Sequence, residues 1–174
     1  MQYIRPEFAN LVLGESSEEL QIENSEQNQE AALSMVRQTR RALDIVSRDL
    51  DPAVYDDADF TQAVKNFVLN NRQARVRILV QDLGPVVKRG HQLVELFFRL
   101  TTFIDIREPS RDHADYNAAV MVVDRRGVIL RSLGDRYEGS VNFNDPRQAG
   151  ELLRLFDDMW AVAKPDPNLR RLHM

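Results

Sequence analysis

Asn117-Ala118-Ala119-Val120-Met121-Val122-Val123-Asp124 is an apolar run that stops on a carboxylate, and Arg125-Arg126-Gly127 then turns it into a second run, Val128-Ile129-Leu130, ending on Arg131-Ser132. Two short runs joined by a basic pair and a glycine read as a β-hairpin. The first strand is apolar on both faces and is therefore expected to be buried on both.

Upstream, three more strands are expected. Ala42-Leu43-Asp44-Ile45-Val46-Ser47 alternates, Arg75-Val76-Arg77-Ile78-Leu79-Val80 is an apolar strand carrying two arginines, and Phe103-Ile104-Asp105-Ile106-Arg107 alternates again. Between the first two, the residues from Asp59 to about Arg72 carry Phe60, Ala63, Val64, Phe67 and Val68 at helical spacing. Strand, helix and strand within some forty residues form a βαβ unit with parallel strands. A helix is expected from Ser25 as N-cap, another from Val86 to Thr102, and a last one from Asp145-Pro146, with proline at the position where a missing N–H costs nothing. Its apolar face is Ala149, Leu152, Leu153, Phe156, Met159, Trp160 and Ala163. Leu133 to Asn144, rich in glycine, serine and asparagine, is the longest ambiguous segment, and Gly139-Ser140-Val141-Asn142 within it is read as a loop.

The expected organisation is an N-terminal arm or hairpin over 1–24, in which Phe8 to Leu13 and Leu20 to Ile22 are short strand candidates. An α/β domain over 25–163 and a C-terminal tail over 164–174 follow. A chain of 174 residues can bury roughly two thirds of its unfolded surface without staples. There is no cysteine, which removes disulfides, thiolate nucleophiles and thiolate metal sites and fits a reducing cytosol. The net charge is −4, so no global positive field draws the chain to nucleic acid or to an anionic membrane, and any such binding must be local. Arg37-Gln38-Thr39-Arg40-Arg41 is read as a solvated helix end rather than a nucleic-acid patch. No basic leader followed by an apolar segment opens the sequence and no run is long enough to span a bilayer, so a soluble, cytoplasmic protein is expected. Dinucleotide, Walker, zincin and nucleophile-elbow motifs are all missing. No cofactor is expected, and no metal.

The order of strand, helix, strand, helix, strand, buried hairpin and closing helix resembles one half of the phospholipase D superfamily. The likeness rests on the R-x-R-I-L-V form of the Arg75 strand, on the hairpin, and on the spacing of Phe156 and Trp160 in the closing helix. It implies a mixed sheet flanked by helices and a bacterial source. The resemblance also implies an H-x-K-x-x-x-x-D motif, followed by Gly-Ser. Laid on this sequence, the histidine falls on Asn117, the lysine on Ala119, the aspartate on Asp124 and the Gly-Ser pair on Arg131-Ser132. The nucleophile and the cation that would neutralise phosphate oxygens are thus replaced by groups that perform neither role.

The reading that follows is a catalytically inactive module with a binding, regulatory or structural role. Arg48, Lys88, Arg89, His91 and Arg131 are candidates to converge on an anion at the strand ends. The alternative for the charged residues is a mutually neutralising network of Arg48, Asp49, Asp82, Asp124 and Arg131. The competing function is an unorthodox phosphodiesterase or nuclease using His113 or His91, and a third class is a homodimeric scaffold. The resemblance also implies an acetyltransferase-type protein as a partner. His173, in the tail, carries no signal.

Overall fold

The computed structural model describes residues 8–167 and residue 169; Met1 to Glu7 and, in the tail, His173 lie outside them. In chain order the elements are β1 (Leu20–Ile22), α1 (Ser25–Gln38), β2 (Ala42–Ser47), α2 (Pro52–Tyr55), α3 (Ala58–Leu69), β3 (Arg75–Val80), α4 (Gly84–Arg89) and α5 (Gln92–Arg99). There follow β4 (Ile104–Glu108), β5 (Ala119–Val123), β6 (Gly127–Arg131), β7 (Gly139–Asn142), α6 (Pro146–Val162) and β8 (Lys164–Pro165). The strands form one mixed sheet in the order β1-β7-β6-β5-β2-β3-β4-β8. β2, β3 and β4 are parallel, and every other pairing is antiparallel. The fold is therefore the mixed α/β sheet flanked by helices that the sequence implies.

The period of two along each strand sorts side chains onto two cores. Met121 and Val123 of β5 join Leu43, Ile45, Val76 and Ile78 in the larger core, beneath the side of the sheet where α1, α3 and α5 pack. Val120 and Val122 point the other way, to a smaller core where Ala149, Leu153, Phe156 and Met159 of α6 lie against Val46, Leu79 and Val128. Burying the three larger side chains of α6 contributes roughly 5–9 kcal/mol. That is enough to hold α6 on this face of the sheet. β5 is apolar on both sides because it faces a core on both.

Four expectations change. The N-cap of α1 is Asn24, whose side chain accepts from the Gln27 amide, and Ser25 is the first helical residue. The single helix expected from Val86 to Thr102 is two, α4 and α5. The apolar stripe continues through both, but Gly90 takes a left-handed φ of 76° and His91 caps the new helix through Leu93 N–H. Phe8 to Leu13 is not a strand: Phe8–Asn10 is a 3₁₀ turn. Gly139 to Asn142 is a strand and not a loop. It pairs with β6, Leu130 opposite Ser140, and on its far side with β1. Gly139 packs so closely on β6 that a Cβ there would stand 2.5 Å from the Leu130 carbonyl oxygen. β8 pairs with the end of β4, and Leu169 is buried. Among the described residues no helix is long and apolar enough to cross a membrane.

Candidate functional site

Strand direction separates the sequence candidates into two groups at opposite rims of the sheet. β5 runs antiparallel to β2, with Leu43 opposite Val123 and Val46 opposite Val120. The start of β5 therefore lies at the carboxyl end of β2, and the β5–β6 turn lies where the chain enters β2. Asn117, Ala119, Arg131 and Ser132 belong to the first rim and Asp124 to the second.

At the carboxyl-end rim Asn117 is exposed, and its carbonyl accepts a 2.6 Å hydrogen bond from Gly134 N–H. A Cβ on Gly134 would come within 2.8 Å of that oxygen, so the approach requires glycine. Ala119 is buried and sits opposite Arg131 in the β5–β6 register. The Arg131 guanidinium, 3% exposed, donates to the Arg136 carbonyl at 3.0 Å and lies 5.1 Å from the Tyr137 ring centre. Tyr137 in turn donates to Asp51 at 2.6 Å. Burial and that hydrogen bond push the Tyr137 hydroxyl up to about 12; burial does the same to Tyr55. Among the described residues no carboxylate pairs with Arg131 within 4.0 Å.

The other anion candidates make different contacts. Arg48, Lys88 and Arg89 are exposed, and Arg89 makes only a long bond to the Pro85 carbonyl. His91 is buried with both ring nitrogens engaged: Nδ1 accepts from Leu93 N–H, so Nε2 carries the proton and donates to the Leu50 carbonyl at 3.0 Å. Burial pushes its pKa down. A neutral, doubly bonded imidazole is a helix cap, and it offers no free nitrogen for nucleophilic attack. His113 sits in a 3₁₀ turn, Arg111–His113, with Nδ1 3.3 Å from the Ser110 hydroxyl. No group of three or more metal-ligating side chains occurs among the described residues.

At the opposite rim the Asp124 carboxylate accepts three main-chain hydrogen bonds, from Arg40, Arg41 and Ala42 at 2.9, 2.8 and 2.9 Å. Its own N–H returns one to the Ala42 carbonyl. Asp124 and Arg125 both take left-handed φ values, 53° and 59°, and Arg126 N–H closes the turn on Val123. This is the geometry of a tight hairpin in which both central residues have positive φ. Asp124 thus fastens the hairpin turn to the link between α1 and β2.

The neutralising network expected among Arg48, Asp49, Asp82, Asp124 and Arg131 is not formed, because Asp124 lies across the sheet from Arg48 and Arg131, and Asp82 instead caps Gly84 N–H. The buried charges that do pair went unnoticed in the sequence. Arg77 on β3 lies beside Asp44 on β2, Nε to Oδ1 at 2.7 Å, and reaches Asp157 of α6 at 2.9 Å. Its guanidinium sits 4.6 Å from the Phe156 ring centre, and Phe156 stacks on Trp160. Burial raises the Asp44 pKa, with Arg77 acting against that rise. A signal was available: a charge in the middle of a strand buried on both faces must have a partner.

With this geometry in hand, residues 24–172 match the family described as "Domain of unknown function (DUF7931)". The chain belongs to that family. Comparison with curated proteins gives no match. Among solved structures, this DUF7931 domain is similar to Nuc from Salmonella typhimurium, a phospholipase D family member, at 16% identity and TM-score 0.58 over 84% of this chain and 96% of that one. It is similar to NucT from Helicobacter pylori at 14% identity and TM-score 0.59, over 86% and 99%. It also resembles TrmBL2, an archaeal chromatin protein whose structure shows a novel mode of DNA binding, at 12% identity and TM-score 0.62, over 85% of this chain and 54% of TrmBL2. The DUF7931 chain spans about half of TrmBL2 and nearly all of Nuc and NucT. At these identities the likeness establishes the fold alone: the fold of this DUF7931 domain is like that of the phospholipase D family structures.

Proposed function

We propose that this domain is a catalytically inactive phospholipase D-like module with a binding, regulatory or structural role. The observation that carries the reading is the start of β5. The position that the resemblance gives to a nucleophilic histidine is Asn117, covered on its carbonyl side by Gly134, and the position given to lysine is a buried alanine. His91 is tied up as a cap, and His113 bonds within its own turn. Phosphoryl transfer through an enzyme-bound intermediate needs a nucleophile and a cation on the phosphate oxygens, and this rim offers neither in that arrangement. Arg131, buried and with no carboxylate in ion-pairing distance among the described residues, is the residue of the anion-binding candidates on which the reading leans. Arg48, Lys88, Arg89 and His91 have no contact that joins them to it. A homodimer belongs to the same reading, with light scattering as its check: a monomer at all concentrations removes it.

The test is an assay of purified protein against a chromogenic phosphodiester and single-stranded DNA, alongside His91→Ala and His113→Ala. Turnover at the buffer background in all three supports the proposal. Turnover that disappears in either histidine variant overturns it in favour of the unorthodox phosphodiesterase.

A further inference from the structure

A cleft of about 1150 Å³ lies at the rim where the β5–β6 turn meets the end of α1. Two sequence features that the fold alone did not explain come together there. Arg37, Arg40 and Arg41 line it from the α1–β2 segment, and Arg125 and Arg126 line it from the hairpin turn. All five are exposed, and among the described residues none has a carboxylate in ion-pairing distance. The acids in the wall are Glu15 and Asp124, so five cations against two carboxylates leave a local +3 in a chain whose net charge is −4. The three amide bonds to Asp124 hold the Arg40-Arg41 backbone against the turn, so the cluster is assembled by the fold. Pro146 and Gly150, in the first turns of the seventeen-residue α6, form part of the wall and add the positive end of a helix dipole.

Like charges gathered without partners repel one another, and a bound anion relieves that repulsion. The choice of arginine throughout favours bidentate contact with phosphate. The surface is concave, which suits a chain lying in it better than a flat lipid headgroup layer. Among the described residues no aromatic side chain lines it, so bases have no stacking platform.

We propose that this cleft binds the sugar-phosphate backbone of single-stranded nucleic acid, without reading its bases. The proposal does not depend on whether the opposite rim is catalytic. Full-length protein is titrated into fluorescein-labelled oligothymidylate and oligoadenylate and followed by anisotropy over a series of salt concentrations. With about three phosphates neutralised, log K falls against log salt with a slope of about −2. Arg125→Glu/Arg126→Glu and Arg40→Glu/Arg41→Glu each weaken binding tenfold or more and flatten the slope by about 1.4 or more, for two phosphate contacts at about 0.7 each. Arg99→Glu, on α5 away from the cleft, leaves it unchanged, and circular dichroism checks that each variant is folded. Absence of binding at low salt, equal binding by folded charge-reversal variants, or arginine-dependent capture of anionic vesicles in place of the oligonucleotides overturns the proposal. A preference above tenfold between the two oligonucleotides overturns the backbone-only mode.

Discussion

Replacing Asp124 should unfasten the β5–β6 turn from the start of β2. Asp124→Ala removes the acceptor for three main-chain N–H groups and places alanine at a φ of 53°. A hydrogen bond to a charged group contributes about 1.5–3 kcal/mol when buried, but the Arg40 and Arg41 amides are exposed and water replaces much of each. About 1 kcal/mol for each bond and about 1 kcal/mol for the left-handed conformation give a loss near 4 kcal/mol. Asp124→Gly keeps the conformation free and loses only the bonds, so it should be about 1 kcal/mol less damaging than alanine. Asp124→Asn retains one oxygen and tolerates the left-handed region but turns an N–H donor toward Arg40 N–H, for a loss of about 1–2 kcal/mol. Urea denaturation measures all three, and for a chain of this size each kcal/mol moves Tm by about 2–4 °C. An Asp124→Ala variant within 1 kcal/mol of the parent, or an asparagine variant as damaging as alanine, would refute the anchoring argument.

Two further outcomes follow from buried polar groups. Arg77→Met leaves Asp44 buried without its partner and should cost about 3–5 kcal/mol, whereas Asp44→Val/Arg77→Met should recover most of that loss; a double-mutant cycle by denaturant measures it, and a single-variant cost below 1 kcal/mol counts against a coupled pair. His91 has a folded pKa below its unfolded value of about 6.5, so the unfolded chain takes up the proton first. Its stabilising contribution is complete above that pH and is lost as pH falls toward the folded pKa. The fall in Tm between pH 7 and pH 5 should be smaller in His91→Gln than in the parent, and an equal fall would show that His91 is not the group responsible.

How far the sequence could be read depended on whether the deciding interaction was local. β2 and β3 match their expected bounds because six-residue runs with four apolar residues each, set between polar breaks, have one comfortable conformation in a two-sided sheet. The split of α4 from α5 was hidden because Val86, Leu93, Val94 and Leu96 keep a continuous stripe through a glycine whose left-handed φ appears only in three dimensions. β7 was missed because Gly139 to Asn142 has little strand character of its own and is held by β6 and β1, one of them more than a hundred residues away in sequence. Arg48, Asp124 and Arg131 were grouped because each ends a strand. Which end of the sheet each occupies follows from β5 being antiparallel to β2, a fact of pairing rather than of composition.

That antiparallel pairing has an evolutionary consequence. The eight residues from Asn117 to Asp124 read as a single motif, yet seven steps at about 3.4 Å carry them some 20 Å or more across the sheet. Their two ends answer to different neighbours and therefore to different selection. A substitution at Asn117 or Ala119 exerts no strain at Asp124, where the carboxylate holds the Arg40 to Ala42 backbone. A strand of this kind lets its two surfaces change independently, so what stands at one end of the eight residues says nothing about the task of the other.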